Sequence, residues 1–410
     1  MSDKKCRFCG SALTETLIDL GMAPLSNSYL SIEQLNSKEV FYPLHTYVCS
    51  NCFLVQLEEF ESPGAIFNDY AYFSSFSDSW LEHVKKYTND MQQRFDFSKN
   101  KLIVEIASND GYLLQYFKEK GFPILGIEPA ENVAKMAIKK GIPTIVDFFG
   151  ERLAKALKAD GQKADLLLGN NVLAHVPNIN DFVAGMCILL NDDGIITMEF
   201  PHLLRLMKER QFDTIYHEHF SYLSFSIVEK IFNAHGLKIF DVEEFSTHGG
   251  SLRIYACHAN YLGYKVTKQV ENMRIKEIEF GINNIEMYQF FADKIRELKF
   301  SLLETLIAIK KQGKTIAGYG APAKGNTLLN YCGIRTDFID YTVDRNPHKQ
   351  GKFLPGTHIP IFSPQKIKEE KPDYVLILPW NLKKEIMEQV GYIREWDGRF
   401  IIPIPKVEII

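Results

Sequence analysis

The central part of the chain alternates short apolar runs with polar, glycine-containing turns. Residues 102–106 form an apolar run that predicts a buried strand, the turn "ASNDG" follows, and "YLLQYFKEKG" predicts a helix that stops at Gly121. A second apolar run, "PILGIEPA", ends in Glu128. Strand, small-residue turn, helix and strand in this order predict a doubly wound α/β sheet, in which a nucleoside ligand lies across the carboxyl ends of the strands.

The same pattern continues toward the C-terminus of this region. "TIVDFF", "ADLLLGNNVLAHVPN" and "DDGIITMEFPH" each predict a buried strand that emerges into polar residues. These polar residues are Asp147, Asn170, Asn171, His175, Glu199 and His202. The runs "LKIFDVEEF" and "GGSLRIYACH" predict a closing hairpin, as in class I methyltransferases.

The first turn indicates the kind of ligand. It is not G-x-G-x-x-G, and Glu105 and Asp110 place negative charge where a dinucleotide pyrophosphate would lie. Glu128, 23 residues after Glu105, is suitably placed for ribose hydroxyls. S-adenosylmethionine, an adenosine ligand with positive charge and no phosphate, fits better; the alternative is an α/β subdomain without a ligand, because such acids also cap helices. The residues predicted to bind S-adenosylmethionine are Glu105, Ala107, Asn109, Asp110, Gly111, Glu128, Asp147 and Asn170.

A second sheet of this type is predicted near the C-terminus. Residues 268–312 carry a helical apolar period that predicts one long amphipathic connecting helix. "GKTIAGYGAPAKGNTLLNYC" then predicts a strand, a Gly-rich turn with Lys324, and a helix. Backbone amides at that helix start, beside a lysine, form an anion seat that suits a nucleotide-sugar pyrophosphate. The alternative is a tight glycine turn with a surface lysine.

Composition narrows the class of protein. A chain of 410 residues with 46% hydrophobic and 24% charged residues favours two or three globular domains. The formal net charge of −4 provides no broad attraction to nucleic acid or anionic membrane. No apolar run reaches the roughly 20 residues that span a bilayer, and "MSDKKCRFCG" lacks a signal-peptide core, so a cytoplasmic location is expected.

Four of the seven cysteines form two C-x-x-C pairs. In a reducing compartment this pattern predicts tetrahedral zinc coordination by Cys6, Cys9, Cys49 and Cys52. Four protein ligands leave no position for water, so the zinc would be structural. Disulfide pairing is the alternative. The other cysteines stand in apolar contexts typical of buried thiols, and they are Cys187, Cys257 and Cys332.

The stretch "IYHEHFSYLS", residues 215–224, is the main candidate for proton transfer. Imidazole has the right unperturbed pKa to remove a proton next to a ketone, and Glu218 can orient it and support its protonated form. We favour His219 as the base and Tyr216 as the group that holds the substrate oxygen, although the sequence leaves the reverse open. A metal site at His217 and His219 and a structural polar turn are the alternatives.

These motifs in this order resemble the sugar C-methyltransferases that act on nucleotide-linked 4-keto deoxysugars. The similarity extends from Cys6 to about Pro360 through the paired CxxC, "EIASNDGYLL", "GIEPA", "NNVLAHV", "YHEHFSY", "HGGSLR" and "GYGAPAKG". The resemblance implies a zinc-binding domain at residues 1–72, an S-adenosylmethionine domain at 73–260 and a Rossmann-like domain at 261–410 that binds nucleotide-sugar. It also implies catalytic roles for Tyr216, Glu218, His219 and His175.

The resemblance further implies methylation of a dTDP-linked 4-keto deoxysugar at carbon 3, through an enolate. "YAYFSSFSDSW", residues 70–80, would form a lid over sugar and sulfonium, with an interdomain packing strip as the alternative. The residues expected to contact substrate are Tyr72, Ser75, Asn171, His202, Lys324 and Asn326. We expect a small-molecule partner, neither nucleic acid nor membrane, and a monomer or homodimer. O- or N-methylation of another small molecule, or a non-catalytic zinc-containing binding protein, are the competing functions.

Overall fold

The computed structural model describes residues 4–62, 64, 74–76, 78–95 and 97–410. The described strands, in chain order, are β1 (Glu15–Ala23), β2 (Tyr42–Val48), β3 (Val55–Leu57), β4 (Ile103–Ile106), β5 (Ile124–Ile127), β6 (Thr144–Ile145), β7 (Ala164–Asn170), β8 (Leu190–Pro201), β9 (Ser221–Tyr222), β10 (Leu237–Phe245), β11 (Ser251–His258), β12 (Ile316–Tyr319), β13 (Tyr341–Val343), β14 (Ile361–Phe362), β15 (Tyr374–Ile377), β16 (Arg399–Ile402) and β17 (Glu408–Ile409). They form three separate sheets.

The described α-helices, in chain order, are α1 (Asp78–Phe95), α2 (Leu114–Glu119), α3 (Glu131–Lys139), α4 (Glu151–Ala159), α5 (Ile179–Leu189), α6 (Leu203–Lys208), α7 (Phe225–Ala234), α8 (Lys268–Phe280), α9 (Ile285–Lys311), α10 (Ala323–Cys332), α11 (Gln365–Glu370) and α12 (Lys383–Gln389). Short 3₁₀ turns include Leu173–His175 and Phe212–Thr214, which flank the candidate site. None of these helices combines the length and apolar character needed to cross a membrane.

The central sheet has the strand order β10-β11-β8-β7-β4-β5-β6. All neighbours pair in parallel except β11, which is antiparallel to both β8 and β10. Helices cover both faces, so the apolar runs of β4 and β7 are buried along their length, as parallel strands require. This order is that of a class I methyltransferase, and it confirms the predicted α/β fold and the closing hairpin.

The C-terminal sheet has the order β14-β13-β12-β15-β16-β17 and is parallel apart from β17. This is the order of a Rossmann-like doubly wound sheet. The point where strand order reverses lies between β12 and β15, so the turn after β12 stands at the position where such sheets bind ligands. The sequence prediction of a second Rossmann-like sheet is confirmed.

The N-terminal sheet is small and antiparallel, with the order β1-β2-β3-β9. Its fourth strand, β9, comes from the "YHEHFSY" stretch more than 150 residues later in the chain. Val55 pairs with Tyr222, and Gln56 pairs with Ser221. The N-terminal sheet is therefore completed by the segment predicted to carry the chemistry. The predicted domain boundaries stay a prediction.

The connecting region differs from the single helix that the sequence predicts. It is two helices, α8 and α9, separated by residues 281–284. Gly281 ends α8 in the left-handed region with a φ of 91°, and the Asn284 side chain caps α9 by accepting from the Glu286 backbone N–H. The predicted apolar face of the second helix is confirmed and comprises Phe291, Ile295, Leu298, Leu302, Leu306 and Ile309.

Candidate active site

The turn after β4, residues 107–111, is called the central turn below. Its backbone enters the left-handed region three times, at Ala107 (φ 56°), Asn109 (φ 49°) and Gly111 (φ 77°). A Cβ on Gly111 would lie 2.2 Å from Cδ1 of Ile142, so only glycine fits there. Non-glycine residues in this region are uncommon and cluster at ligand sites.

Glu128, at the end of β5, holds the central turn in shape. Its Oε2 accepts a hydrogen bond from the Asn109 backbone N–H at 2.9 Å, and its Oε1 accepts from the Ala130 N–H at 2.9 Å. Burial raises the pKa of Glu128, while these two backbone hydrogen bonds lower it. Each carboxylate oxygen keeps a second lone pair that a ribose hydroxyl can use.

The carboxyl groups of Glu105, Asp110 and Glu128 act on one another at the central turn. Glu105 is fully buried, and burial raises its pKa well above the usual value; the Tyr112 hydroxyl lowers it, and the charges of Asp110 and Glu128 raise it. Lys140 pairs with Asp110 at 3.0 Å. A cationic ligand would favour the ionised form of these carboxyl groups, whereas a pyrophosphate would oppose it.

Several buried polar atoms at or beside the central turn have no hydrogen-bond partner among the described residues. They include Oγ of Ser108, Oδ1 of Asp110 and Nδ2 of Asn170, at the end of β7. Buried polar atoms without partners are rare and usually await a ligand, ion or water. An acceptor and a donor beside the carboxylates fit the ammonium, carboxylate and ribose groups of S-adenosylmethionine.

Two serines of the predicted lid are joined to the central turn, one of them through Lys140. Ser75 Oγ accepts a hydrogen bond from Lys140 at 2.9 Å, and the Ser74 N–H donates to Oδ1 of Asn109 at 3.0 Å. Ser74 and Ser75 of the predicted lid are therefore anchored to the central turn. Asp147 is half-buried after β6 and pairs with Arg152 at 2.6 Å. Tyr72 lies outside the described residues.

The four cysteines of the two C-x-x-C pairs converge. Their sulfur atoms all lie within 4.8 Å of one another. Cys6 and Cys52 are 3.6 Å apart, and Cys9 and Cys49 are 3.5 Å apart. Thiolates about 2.3 Å from a tetrahedral zinc ion stand roughly 3.8 Å from each other, so the cluster fits zinc. The Gln56 side-chain amide donates to the sulfur of Cys6 at 3.2 Å, the kind of outer contact that orients a ligand.

The 215–222 segment is fixed by contacts to three parts of the molecule. The Phe220 N–H donates to the Ala174 carbonyl at 2.8 Å, which ties the segment to the central sheet. The Thr327 hydroxyl of α10 donates to the Ile215 carbonyl at 2.9 Å. The pairing of β9 with β3 adds the N-terminal sheet. A segment held from three sides can keep side chains in one orientation without being helix or strand itself.

Three aromatic rings from this segment and its neighbour form a cluster. The His219 ring lies 4.0 Å from the Tyr216 ring and 4.7 Å from the His175 ring, measured between centroids. The Nδ1 of His219 is 2.8 Å from the Thr214 carbonyl oxygen. A carbonyl only accepts, so Nδ1 carries the proton and the lone pair of the neutral ring is on Nε2. His219 is thus held in the tautomer that a general base at Nε2 requires.

His175 and Glu218 have unusual electrostatics. Complete burial lowers the pKa of His175 to about 4, against a hydrogen bond with the Glu218 backbone that raises it, so this ring is neutral. Burial raises the pKa of Glu218 to about 7, although the Asn27 side chain and the charge of Lys349 lower it. Perturbed pKa values that cluster in this way are typical of functional sites.

The metal alternative for "YHEH" finds no support. His217 is buried, and its Nε2 is 3.2 Å from the Pro43 carbonyl oxygen, so its ring packs against the N-terminal sheet. Within the described ranges, the cysteine cluster is the one group of three or more His, Cys, Asp or Glu side chains arranged to hold a metal ion. His217 acts as an anchor of the segment.

The turn after β12, residues 320–324, is called the C-terminal turn. Half-buried Lys324 donates from Nζ to Oδ1 of Asn381 at 2.6 Å and lies 4.9 Å from the Trp380 ring centroid. Burial lowers the pKa of Lys324, and the charge of Asp213 raises it. Asp213 accepts from the Trp380 indole at 2.7 Å, and burial raises its pKa to about 6. Lys324 is therefore already engaged with protein groups.

Three other predicted substrate residues have different surroundings. Asn326 donates to the Ser26 carbonyl at 2.6 Å, and its buried Oδ1 has no hydrogen-bond partner among the described residues. Asn171 has a φ of 53° at the end of β7, and its N–H donates to the Glu199 carbonyl. His202 is only 1% exposed and contacts Glu277 at 2.7 Å. The predicted substrate contact of His202 finds no support in this geometry, because its ring is enclosed by protein.

Sequence reasoning missed several residues of this site. Asn27 and Lys349 act on Glu218, and Asp213 acts on Lys324. Asp213 stands two residues before the quoted stretch, so a wider window would have included it. Asn27 and Lys349 stand in loops far away in the chain and carry no local motif that points to the site.

Family models match three consecutive parts of the chain. They are a zinc binding domain at residues 6–67, a methyltransferase domain at residues 80–242 and a C-methyltransferase C-terminal domain at residues 246–405. The central sheet, the charge of the central turn and the first two models define a class I S-adenosylmethionine-dependent methyltransferase with a zinc-binding domain.

A relative in the curated proteins covers the whole chain. C-methyltransferase NovU from Streptomyces niveus is 36% identical over 406 residues, which are 99% of this chain and 96% of the relative. The chain therefore belongs to the C-methyltransferase family. The predicted enzyme class and both predicted cofactors, S-adenosylmethionine and zinc, are confirmed.

Solved structures with low sequence identity match less than half of the chain. An S-adenosylmethionine-dependent methyltransferase from Clostridium acetobutylicum shows 10% identity over 44% of this chain and 92% of that chain, with a TM-score of 0.36. Magnesium protoporphyrin IX methyltransferase from Synechocystis shows 16% identity over 47% of this chain and 91% of that chain, with a TM-score of 0.36.

Proposed function

We propose that this C-methyltransferase methylates carbon 3 of a nucleotide-linked 4-keto deoxysugar. The first nucleotide to test is dTDP. The observation that carries the proposal is the state of His219, whose Nδ1 is fixed on the Thr214 carbonyl at 2.8 Å while Nε2 holds the lone pair. An oxygen or nitrogen acceptor has a lone pair and is already a nucleophile, whereas a carbon next to a ketone must first lose a proton. A prepared base beside a tyrosine supports the carbon acceptor.

The chemistry divides into two steps. Nε2 of His219 takes the proton from carbon 3, and the C–H electron pair becomes the enolate, whose oxygen is the former 4-keto oxygen. Tyr216, with its ring 4.0 Å from that of His219, is the donor that holds this oxygen. S-adenosylmethionine bound at the central turn would supply the methyl group for the enolate carbon, with cleavage of its sulfur–methyl bond and release of S-adenosylhomocysteine. The proton leaves His219 to water.

The neighbours of His219 suit this cycle. His175 stays neutral because burial lowers its pKa to about 4, so it adds no charge that would resist formation of the His219 imidazolium. The buried Glu218 next to it in the chain supplies negative charge when ionised. Imidazolium and carboxylate in a buried site stabilise each other more than they would in water.

The C-terminal turn is the proposed seat of the nucleotide diphosphate. Helix α10 starts after Pro322 without a side-chain cap, so backbone N–H groups of its first turn point toward the end of the helix. Lys324 and Asn326 belong to the same turn of helix. Because Lys324 is engaged with Asn381 and Trp380, the diphosphate would have to share or displace these contacts.

Deuterium exchange tests the proposal. The wild-type enzyme is incubated in deuterated water with S-adenosylhomocysteine and a dTDP-, GDP- or UDP-linked 4-keto sugar. The proton on carbon 3 of the sugar should exchange with solvent, and mass spectrometry measures the exchange. With S-adenosylmethionine the enzyme should add one methyl group to carbon. His219→Ala should lose both activities by about 10²–10⁴ in rate, as expected for a general base. Tyr216→Phe should lose less if it only holds the oxygen.

His217→Gln is the matched control. It changes the neighbouring histidine, whose ring packs against Pro43, and should keep exchange because His217 is not the base. Donor affinity, measured by calorimetry, should survive in all three variants. A His219→Ala enzyme that still exchanges and methylates near the wild-type rate would contradict the role of His219. A methyl group found on oxygen or nitrogen would contradict the carbon acceptor.

A further inference from the structure

A loop of the zinc-binding domain, residues 24–30, enters the candidate active site. The Tyr29 hydroxyl donates to the Ala321 carbonyl of the C-terminal turn at 2.6 Å. The Ser26 carbonyl accepts from Asn326 at 2.6 Å. Between these two anchors, the side-chain amide of Asn27 donates to Oε1 of Glu218 at 2.5 Å. The loop therefore joins the C-terminal domain to the 215–222 segment.

Glu218 is almost fully enclosed, with 5% of its surface exposed. The charged and titratable groups that act on it from other elements are few. Lys349 lowers its pKa, Tyr29 lies within electrostatic range, and His175 bonds to its backbone, while His217 and His219 flank it in the chain. The Lys349 ammonium donates to the Ala321 carbonyl at 2.8 Å and lies 3.9 Å from Oδ2 of Asp344. The Asn27 amide donates directly to the Glu218 carboxylate at 2.5 Å.

We propose that Asn27, from the zinc-binding domain, is a positioning residue for proton transfer: its amide holds the carboxylate of Glu218, the residue before His219 in the chain, ionised and in one orientation. This inference rests on the proposed function. It assigns the zinc-binding domain a direct part in the catalytic centre, through a side chain on a loop that carries no metal ligand.

The physical route has two branches. The Asn27 N–H favours the charged form of Glu218, because an amide donor stabilises a carboxylate more than a neutral carboxyl group. Fixing Glu218 also fixes its backbone, which bonds to the His175 ring that lies 4.7 Å from the His219 ring. Asn27 therefore affects both the charge available to a His219 imidazolium and the packing of the ring cluster.

The direction of the pH effect depends on which form of Glu218 supports catalysis, and this is the ionised carboxylate. Glu218 must lose its proton to support the imidazolium, so activity falls as pH decreases through its pKa, which is about 7. Removing the Asn27 donor destabilises the carboxylate and raises that pKa. The acid limb of the rate profile then moves to higher pH, and activity lost at neutral pH returns in alkaline buffer.

The test compares pH profiles of methyl transfer for wild type, Asn27→Ala, Asn27→Asp and Tyr29→Phe. Asn27→Ala should move the acid limb of kcat upward by about one unit, the size of shift that one hydrogen bond to a carboxylate produces. Asn27→Asp keeps the shape of the side chain but places a second carboxyl group against Glu218, so it should move the limb further. Donor affinity and zinc content should not change in either variant.

Tyr29→Phe is the matched control in the same loop. It removes the anchor to Ala321 and a longer contact of 3.4 Å between the Tyr29 hydroxyl and Oδ1 of Asn27, but it keeps the Asn27 amide donor, so it should weaken activity at all pH values and move the limb less than Asn27→Ala does. Equal acid limbs in wild type, Asn27→Ala and Asn27→Asp would overturn the proposal and leave the loop as a packing element. Recovery of Asn27→Ala in alkaline buffer is not expected if Asn27 only stabilises the fold.

A second readout does not require turnover. Carbon-13 NMR of glutamate labelled at the side-chain carboxyl, with the Glu218 signal assigned by its loss in Glu218→Gln, measures the titration of this group directly. The Glu218 midpoint should rise from wild type to Asn27→Ala to Asn27→Asp. An unchanged midpoint contradicts the Asn27 proposal even if sugar methylation is confirmed, and a shifted midpoint supports it even if the acceptor is another molecule.

Discussion

The central turn and the C-terminal turn share a backbone design and differ in the ionisable side chains around it. In each sheet the acid that ends the second strand reaches back to the turn after the first strand. Glu128 accepts from the N–H groups of Asn109 and Ala130, and Asp344 accepts from the N–H groups of Ala321 and Asn346 at 2.7 and 2.8 Å. The backbone design is therefore common to both Rossmann-like sheets.

The side chains around the two acids differ. In β4 the third residue is Glu105, which pairs with Gly126; in β12 it is Gly318, which pairs with Thr342. The central turn adds Asp110, whereas the C-terminal turn adds Lys324. One turn thus concentrates carboxylates and suits a sulfonium, and the other brings an ammonium and suits an anion. Charge, rather than fold, separates the two ligand classes.

The two turns are also covered differently. The Ala321 carbonyl of the C-terminal turn receives hydrogen bonds from the Tyr29 hydroxyl and the Lys349 ammonium, so the zinc-binding domain lies directly on this turn. The Asn109 side chain of the central turn instead receives the Ser74 N–H, from the residues that precede α1. Loss of the zinc-binding domain should therefore affect one turn and spare the other.

Among the changes that test the difference between the two turns, removal of a zinc ligand should have the largest effect. Cys49→Ser should lose zinc and unfold the N-terminal sheet, because the binding free energy of a structural zinc, about 10–16 kcal/mol, is also folding free energy. The 24–30 loop and the β3–β9 pairing would be lost with the sheet, so methyl transfer should be abolished. Donor affinity should stay within a few-fold, because the central turn makes its contacts elsewhere. Metal analysis, chemical denaturation and calorimetry measure the three quantities.

Cys187→Ser is the control for this change. Cys187 is a half-buried thiol outside the cluster, so this variant should keep both zinc and activity. If Cys49→Ser keeps one equivalent of zinc and full stability, zinc coordination by all four thiolates is wrong. If it loses donor affinity in parallel with methyl transfer, the two turns are not independent.

Replacing Glu128 or Asp344 with alanine should weaken the binding of one ligand and leave the binding of the other unchanged. Glu128→Ala should weaken S-adenosylmethionine binding by about 1.5–3 kcal/mol, the cost of losing a charged hydrogen-bond partner. Asp344→Ala makes the equivalent change in the other sheet and should leave donor affinity unchanged while raising KM for the nucleotide-sugar. Calorimetry with the donor and steady-state kinetics with the acceptor measure the pair. Equal loss of donor affinity in both variants, or preferred binding of NAD, would contradict the assignment.

Much of the fold was predictable because the information is local. The apolar runs at β4, β5 and β7 and the hairpin of β10 and β11 are confirmed, since strands buried on both faces need unbroken apolar sequence. The single helix predicted over residues 268–312 is wrong because the apolar period of α9 outweighed two local signals. Gly281 supplies a left-handed end and Asn284 an N-cap, which together divide the segment.

The site was predictable only in part. The paired cysteines specify their own cluster, and their convergence is confirmed. The arrangement of His219 depends on contacts that have no local signal, because β9 pairs with β3 and α10 bonds to Ile215. Asn27 lies 191 residues from Glu218 in the chain, so only the assembled fold brings the amide to the carboxylate. Residue roles within the site stay predictions.

The variant with the smallest expected effect tests whether the C-terminal turn can be destabilised without a change in the central turn. Thr342, at the place that Gly126 occupies in the other sheet, donates from its buried hydroxyl to the Gly320 carbonyl at 2.8 Å. Thr342→Val keeps the shape and removes this hydrogen bond, so the free energy of unfolding should fall by about 1 kcal/mol. KM for the nucleotide-sugar should rise a few-fold, because the carbonyl and its turn gain freedom, and donor affinity should not change.

Thr144→Val is the counterpart in the central sheet. The Thr144 hydroxyl donates to the Ile142 carbonyl at 3.0 Å, so the variant loses a hydrogen bond of the same kind in the central sheet. It should leave KM for the nucleotide-sugar unchanged, with urea denaturation confirming a similar or smaller loss of stability. A Thr342→Val enzyme that loses more donor affinity than nucleotide-sugar affinity would show that strain passes between the sheets. The two turns would then act as one site, and the contrast in charge alone would not separate their ligands.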